Sequence, residues 1–533
     1  MNILLKYKLL LVFLLALALR LYGLNWDQGN HLHPDERFLT MVAADIKLPS
    51  SITQYFSTSH SPLNPYNYPQ YQFFVYGTFP LFLTKILASI LSLNSYDQIH
   101  FLGRGLSALF DASNVILLYY LSRKRILPSL VYALMVLPIQ LSHFFAVDTF
   151  LATFLLATYT ALSYKLFFLA AFAFGLALAC KISALYFVPI IFIFLFIHRP
   201  KKFLLITVCC LLITFITFRV FQPYSFSGLF TPNPQFISNL NELKQMAKPQ
   251  IYFPPSVQWI GITPILFPLK NIIFWGVGLP FCFLFVFSII KKTNNKLFIP
   301  LAWVSILLIA QGVQSNPMLR YFLPIYPALA LVVTFHKSKI FKLFLIFHII
   351  YALSYLSIYS VPNSRVQATT WINNNIEPNE VITSEYWDDA LPLGFSKFQS
   401  KELHLYDPDT PEKWQVIDDQ LASADYIIMS SNRLWSSIPR VPQHFPQTSK
   451  FYQDLFSGKL DFQLEKSFTS YPGFRLPIAQ CFFLGPSNYP GVSNRWFETT
   501  SCDNPGIYFR DDTAEESFTV YDHPQVLVFK KSK

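Results

Sequence analysis

Residues 9–38 read LLLVFLLALALRLYGLNWDQGNHLHPDERF. The run Leu9–Leu24 is apolar except for Arg20, and Lys6 and Lys8 stand just before it. An apolar run with basic residues on its N-terminal side reads as a first membrane span entering from the cytoplasm. No small-residue cleavage site follows, so the run is a signal anchor rather than a removed leader. Asn25 onward is then delivered to the outer side. The first polar segment there carries two adjacent acids, Asp35 and Glu36, behind His31, His33 and Pro34. This stretch decides the fold class: a helical membrane protein with an acid pair at its outer surface.

Composition agrees. Of 533 residues, 53% are hydrophobic and only 13% are charged, where soluble domains carry about a quarter. A soluble enzyme, a disordered chain and a collagen-like fibre are excluded. Aromatics make up 17%, which suits lipid-facing and interfacial surfaces. The charge is split along the chain. Residues 1–360 hold 26 Lys/Arg against 8 Asp/Glu, a net of +18, and residues 361–533 hold 15 against 22, a net of −7. The basic residues stand in short clusters between apolar runs, which marks membrane loops and not a nucleic-acid surface.

After the first run, further apolar runs of helix length occupy roughly 71–92, 103–121, 126–141, 149–164, 166–180, 183–198, 203–219, 271–290, 297–312, 321–335 and 340–360. The basic clusters are Arg123-Lys124-Arg125, Arg199 with Lys201-Lys202, Lys291-Lys292 with Lys296, and Lys337 with Lys339. If every run spans, all four clusters fall outside, against the positive-inside rule. If 71–92 instead lies along the outer interface, all four fall inside. That run contains Lys85 and follows the Pro-rich stretch Asn64–Pro69. The expected architecture is therefore an α-helical polytopic membrane protein with about 11 transmembrane helices. Residues 1–360 form the membrane domain, with external loops at 25–102 and 220–270, and residues 361–533 form an extracytoplasmic α/β domain. In that domain Ser364–Asn375 reads as a helix, and Glu380–Tyr386, Asp425–Ser430 and Val526–Phe529 read as strands. Cys180, Cys209, Cys210 and Cys282 lie in apolar runs as inert core residues. Cys481 and Cys502 are both outside, either bridged or as two free thiols.

The membrane half has eight acids, and Asp35 and Glu36 are adjacent. A carboxylate held at a membrane surface can serve as a general base. Equally, Pro34-Asp35-Glu36 suits the first turn of a helix on a solvated loop. Asp148 falls at the outer end of a span, as an acceptor- or metal-binding acid or as the cap of the next helix. His33 and His143, with His31, raise a metal question; interfacial histidines are the plainer reading. Arg104 and Arg320-Tyr321 open spans at the outer mouth, where an Arg fork can hold phosphate oxygens or snorkel at the interface. Asp111 lies inside a span, and a buried Arg–Asp pair or a polar helix contact accounts for it.

Four of these places together resemble the polytopic membrane glycosyltransferases of the C-type (GT-C) fold, the superfamily of protein O-mannosyltransferases and lipid A aminoarabinose transferases (glycosyltransferase family 39-like). They are Asp35-Glu36 after the first span, Tyr68-Pro69 leading into Phe73–Leu83, Arg104–Phe110 in a span ending at the basic turn Ser122–Arg125, and Arg320–Leu329, which looks like that superfamily's Arg-Tyr-Leu-Leu-Pro-x-Tyr-Pro motif. The likeness covers residues 1–335. It implies a polyprenyl-phosphate-linked sugar donor and inverting transfer on the outer face of the membrane. By that match Asp35 is the general base and Glu36 supports it. Arg104, Arg320 and Tyr321 hold the lipid phosphate. Asp148 matches an acid of the next external loop that binds the acceptor or a divalent metal; His143 and His33 are candidates beside it by their own chemistry and not by the match. Two departures stand out. Asp111 takes the place of a small or apolar residue. The Lys usually found a few residues before Arg-Tyr is missing from Gln314–Leu319.

The expected function is therefore a glycosyltransferase acting on a protein, lipid or glycan acceptor in the cell (plasma) membrane. No other cofactor and no nucleic-acid partner is expected. The alternatives are a lipid-linked glycan transporter or flippase, which would bury its acids at the midplane, and a non-catalytic membrane assembly protein.

Overall fold

The computed structural model describes residues 3–198, 200–248, 254–290, 297–334, 339–502 and 504–532. Arg199, Lys291, Lys292, Lys296 and Lys337 of the basic clusters lie outside the described residues. The chain folds into two compact units. The first comprises Met1–Leu24, Pro34–Met246 and Pro264–Ala352, and the second Asn25–His33, Ala247–Thr263 and Leu353–Lys533.

The first unit is helical, and each apolar run of the sequence carries helix. Among the described residues three helices are long and apolar enough to cross a membrane: Tyr96–Leu121, Phe203–Phe221 and the run Lys339–Asn375. A fourth crossing results if the pair Leu266–Gly276 and Leu279–Ile290, bent by 114°, is one span. Other apolar helices run 10–17 residues. Several expected spans are thus broken, and proline is one cause. Pro189 stands where the 3-10 turn Ile182–Phe187 gives way to the helix Val188–His198. Pro324 and Pro327 do the same between Leu319–Ile325 and Tyr326–Val333. A proline ring removes a donor and crowds the preceding turn, so the backbone tightens to 3-10 geometry. The run 71–92 holds only the helix Thr78–Ile90, about 20 Å at 1.5 Å per residue against a hydrocarbon core of about 30 Å. Phe196, Leu204, Leu211 and Ile290 are exposed, a surface suited to hydrocarbon and not to water.

The fully buried charges on the helices of this unit are paired. Arg20 Nε donates to Asp111 Oδ2 at 2.6 Å, and Tyr132 Oη donates to Asp111 Oδ1 at 2.6 Å. Arg20 Nη1 also reaches the carbonyls of Ala16 and Ala133, both at 3.1 Å. The buried Arg–Asp pair expected at Asp111 exists, and its cation is the Arg20 that interrupts the first apolar run. Asp111→Asn would strand a buried guanidinium. The expected cost is about 3–5 kcal/mol, read as a lowered unfolding temperature of the full chain in detergent.

The segments 25–102 and 220–270, expected as external loops, interlock. Tyr55 Oη donates to Val220 O at 2.6 Å, Thr58 Oγ1 to Phe226 O at 2.7 Å, and Asn239 Nδ2 to Gln72 O at 2.7 Å. Ser61 and Tyr224 share a hydroxyl–hydroxyl bond of 2.6 Å. The sequence showed two loops; it did not show that one braces the other.

The described residues of the second unit form two sheets. The larger joins β1 (Val381–Glu385), β2 (Gln399–Leu403), β3 (Tyr426–Met429), β4 (Phe462–Phe468) and β9 (Val526–Lys531) in the order β2-β1-β3-β9-β4. β1 runs parallel to β2 and β3, and β9 antiparallel to β3 and β4. Alternate side chains of β9 enter different cores: Leu527 and Phe529 pack with Leu403, Met429 and Trp435, while Val526 and Val528 pack with Ala368, Ile372 and Ile382. Burial on both faces explains the continuous apolar strands. The expected helix Ser364–Asn375 forms, and the three expected strands form within a residue or two of their bounds. The smaller sheet orders β5 (Gly473–Arg475), β8 (Gly506–Phe509), β6 (Cys481–Leu484) and β7 (Phe497–Thr500). A Cys481–Cys502 disulfide staples it, which settles the pairing that the sequence left open.

This unit begins at Leu353, before the boundary expected at 361, and takes two segments from earlier in the chain. Val257 joins the core of the large sheet, Gln258 Oε1 accepts from Glu516 N at 3.1 Å, and the His33 ring packs on Tyr521 at 4.3 Å. Its centre is charged. His523 lies buried between Asp522 (2.6 Å) and Asp511 (2.8 Å). Burial alone would lower the imidazole pKa, yet the two carboxylates lift it to about 10.

Candidate functional site

The helix Pro34–Asp45 opens with Pro34 and places Asp35 and Glu36 in its first turn, where the helix dipole favours acids. The first-turn reading of the sequence is therefore correct as local structure. Function depends on where the two side chains go. Successive helical residues diverge by about 100°, so the neighbours part company.

Glu36 points inward and is fully buried. Arg104, also fully buried, donates Nε to Glu36 Oε1 at 2.7 Å and Nη2 to Oε2 at 2.9 Å. This is a fork-to-fork pair of the strong, geometry-specific kind. Phe145 N adds a bond to Oε1 at 3.0 Å, and His100 Nδ1 stands 3.5 Å from the same oxygen. Arg104 Nη1 reaches Leu24 O at 2.6 Å. Glu36 thereby ties its own helix to the Tyr96–Leu121 helix and to the segment just before Asp148.

Asp35 points to a half-open position. Tyr76 Oη donates to its Oδ1 at 2.8 Å, and Arg320 Nη1 pairs with its Oδ2. The side chains of Asp35 and Arg320 are 22% and 12% exposed, so a reactant can reach them. Burial first, and the Asp35 charge next, push the Tyr76 phenol well above its ordinary range. Tyr76 therefore stays a hydrogen donor.

Asp148 lies in the first turn of Val147–Ser163, buried, with Lys181 Nζ 2.9 Å from its Oδ1. Ala146, not Asp148, is the cap residue. Lys181 terminates the helix Phe167–Cys180 with extended backbone. Its Nζ sits 4.2 Å from the Tyr321 ring centroid, and Arg320 Cζ sits 5.6 Å from the same ring. One aromatic ring thus serves two cations. Sequence reasoning missed Lys181. Its signal is a single cation closing a long apolar run, which reads the same as an ordinary span boundary.

The expected site residues are therefore sorted by the fold. Asp35, Arg320, Tyr321 and Asp148 come together with Lys181 and Tyr76. Arg104, expected at the donor phosphate, is buried and its fork is on Glu36. His143 is buried, with Nδ1 2.8 Å from Ile139 O and Nε2 2.8 Å from Tyr22 O; both ring nitrogens face backbone carbonyls. His33 belongs to the second unit. Among the described residues no group of three or more His, Cys, Asp or Glu side chains is placed to hold a metal ion.

Tyr76 is aimed by Gly77. Gly77 N donates to Cys180 O at 3.0 Å, next to Lys181. A Cβ there would lie 2.2 Å from the carbonyl oxygens of Ala179 and Cys180, far inside contact distance and against rigid backbone. Gly77→Ala is expected to separate the two segments. It should disturb both Tyr76 and Lys181 and lower any activity of the site by about tenfold or more, since misplacing a positioned group by about 1 Å costs up to about a hundredfold. Folding of the variant is checked by size-exclusion profile, and its activity by initial rates.

No family model matches the chain, and no curated protein sequence matches it. Among solved structures, the chain is similar to the apo oligosaccharyltransferase of Archaeoglobus fulgidus, at 14% identity and a TM-score of 0.50, covering 94% of this chain and 75% of that one. The oligosaccharyltransferase AglB from Archaeoglobus fulgidus, in complex with an inhibitory peptide and a dolichol-phosphate, matches at 13% identity and a TM-score of 0.47, covering 84% and 72%. ArnT from Cupriavidus metallidurans, bound to undecaprenyl phosphate, matches at 12% identity and a TM-score of 0.46, covering 80% and 92%. The likeness to the apo archaeal oligosaccharyltransferase is one of fold.

Proposed function

We propose that the protein is an inverting membrane glycosyltransferase, related to the family 39-like enzymes, that takes its sugar from a polyprenyl-phosphate-linked donor on the outer face of the cell membrane. The supporting observation is the half-open Asp35 carboxylate facing Arg320, with Glu36 locked behind it on Arg104. Asp35 accepts the proton of the acceptor hydroxyl or amine as that atom attacks the anomeric carbon. The bond from the sugar to the phosphate oxygen breaks, and the leaving polyprenyl phosphate gains charge. Arg320 and Lys181, held beside Tyr321, stabilise that charge. Lys181 supplies from another helix the cation that the Gln314–Leu319 stretch lacks. Glu36 and Arg104 position Asp35 without touching substrate. Asp35 and Asp148 both hold cationic side chains, an arrangement that does not fit a divalent metal.

The topology that fits is eleven spans with a cytoplasmic N-terminus, Thr78–Ile90 along the outer interface, and an extracytoplasmic second unit. Acids grouped at a half-open mouth, on helix first turns, suit transfer better than transport through the midplane. The test uses the full chain in lipid nanodiscs, radiolabelled polyprenyl-phosphate hexoses and pentoses, and an envelope extract as acceptor. Label should pass from at least one lipid donor into a larger product. Turnover of a nucleotide sugar, with none of any lipid donor, would overturn the proposal.

A further inference from the structure

Two acid–cation pairs flank one ring. Asp35 with Arg320 and Asp148 with Lys181 come from four separate elements, and both cations lie over Tyr321. The cations assigned above to phosphate are thus already neutralised by carboxylates, one of them the proposed base.

We infer that in the resting enzyme Asp35 holds Arg320 through Nη1 in place of the donor phosphate, and that donor capture through Lys181 draws Arg320 onto the phosphate and releases Asp35 to act as base. This inference rests on the function proposed above. At rest both Asp35 oxygens are engaged, Oδ1 by Tyr76 and Oδ2 by Arg320, so the carboxylate is held away from an acceptor proton. A phosphodiester offers the planar fork two anionic oxygens, the same geometry as a carboxylate. Lysine is a compact charge on a flexible stem, and Lys181, 24% exposed, is suited to meet the donor first. The Tyr321 ring keeps a favourable face toward both cations whichever anion they hold. Tyr76 bonds the other Asp35 oxygen, so the carboxylate keeps its aim when Arg320 leaves. The consequence is order: the base is armed only after the donor is seated.

The test reads Asp35 itself. Full-length protein is mixed with undecaprenyl phosphate, binding is measured by native mass spectrometry, and carboxyls are tagged with a water-soluble carbodiimide and an amine. Tagging of Asp35 is compared with the exposed Asp97 as internal reference. With the lipid bound, Asp35 should tag severalfold faster. In Arg320→Gln it should tag fast with or without lipid. Lys181→Gln should weaken lipid binding roughly tenfold or more, the worth of one charge-assisted bond. Bound lipid with unchanged or slower Asp35 tagging overturns the inference and leaves the proposed function standing, as does an Arg320→Gln variant that tags no faster than wild type. No binding of the lipid overturns both.

Discussion

Asp35→Asn is expected to lower sugar transfer by about 10²–10⁴-fold, the usual worth of a positioned general base. The change is nearly isosteric. The amide oxygen that replaces the carboxylate can still accept from Tyr76, and Glu36 still anchors the helix on Arg104, so the fold should survive. The effect belongs in the rate constant rather than in donor binding. Removing the Asp35 charge frees Arg320 for phosphate, so donor affinity should hold or improve while turnover falls. That split separates a base from a binding residue. Asp148→Asn makes the contrast, since Asp148 holds Lys181 and takes no proton from the acceptor; its effect should be smaller and should appear in donor affinity rather than in the rate constant. Initial rates at several donor concentrations, with lipid binding measured on the same preparations, check both. Wild-type turnover in Asp35→Asn would sink the mechanism.

Arg104→Ala is the second large effect, and it falls on stability. The substitution leaves the fully buried Glu36 without its fork. Breaking a buried pair from one side costs about 3–5 kcal/mol, a large share of a total of about 5–15 kcal/mol. The variant should unfold at a markedly lower temperature in detergent, or fail to accumulate. Arg104→Lys keeps the charge but not the two parallel bonds, and should fall between. Replacing both partners, Glu36→Met with Arg104→Met, should cost less than the single change, because no charge is stranded. If Arg104→Ala is instead stable but loses lipid binding, Arg104 belongs at the phosphate after all, as the motif resemblance implied.

Legibility differed between the two halves of the problem. Local patterns carried far. Pro34-Asp35-Glu36 predicts a helix start because proline and acids both suit a first turn, and the helix begins there. The apolar runs at 426–429 and 526–529 are strands because each is short and buried on both faces. Breaks inside spans were less visible. The 3-10 turns at Ile182–Phe187 and Leu319–Ile325 adjoin or contain prolines that are plain in the sequence but read as parts of continuous apolar runs.

Partner choice was not legible at all. Arg104 and Arg320 look equivalent in the sequence, two cations opening apolar segments. One is sealed on Glu36 and the other is half-open on Asp35. For Asp111 the sequence offered an Arg–Asp pair without naming the Arg, and the partner is Arg20 of another helix. Lys181 acquired its role only when the end of its helix met Gly77 and Tyr321. Composition and periodicity act over a few turns, so the sequence alone determined that this is a helical membrane protein with an acid pair after its first span and an α/β unit at its end. Which acid is sealed, which is open and which cation holds each depends on contacts between residues 33 to 285 positions apart. Those pairings are decided by packing, because a buried charge must find an opposite charge wherever the tertiary fold brings one within reach.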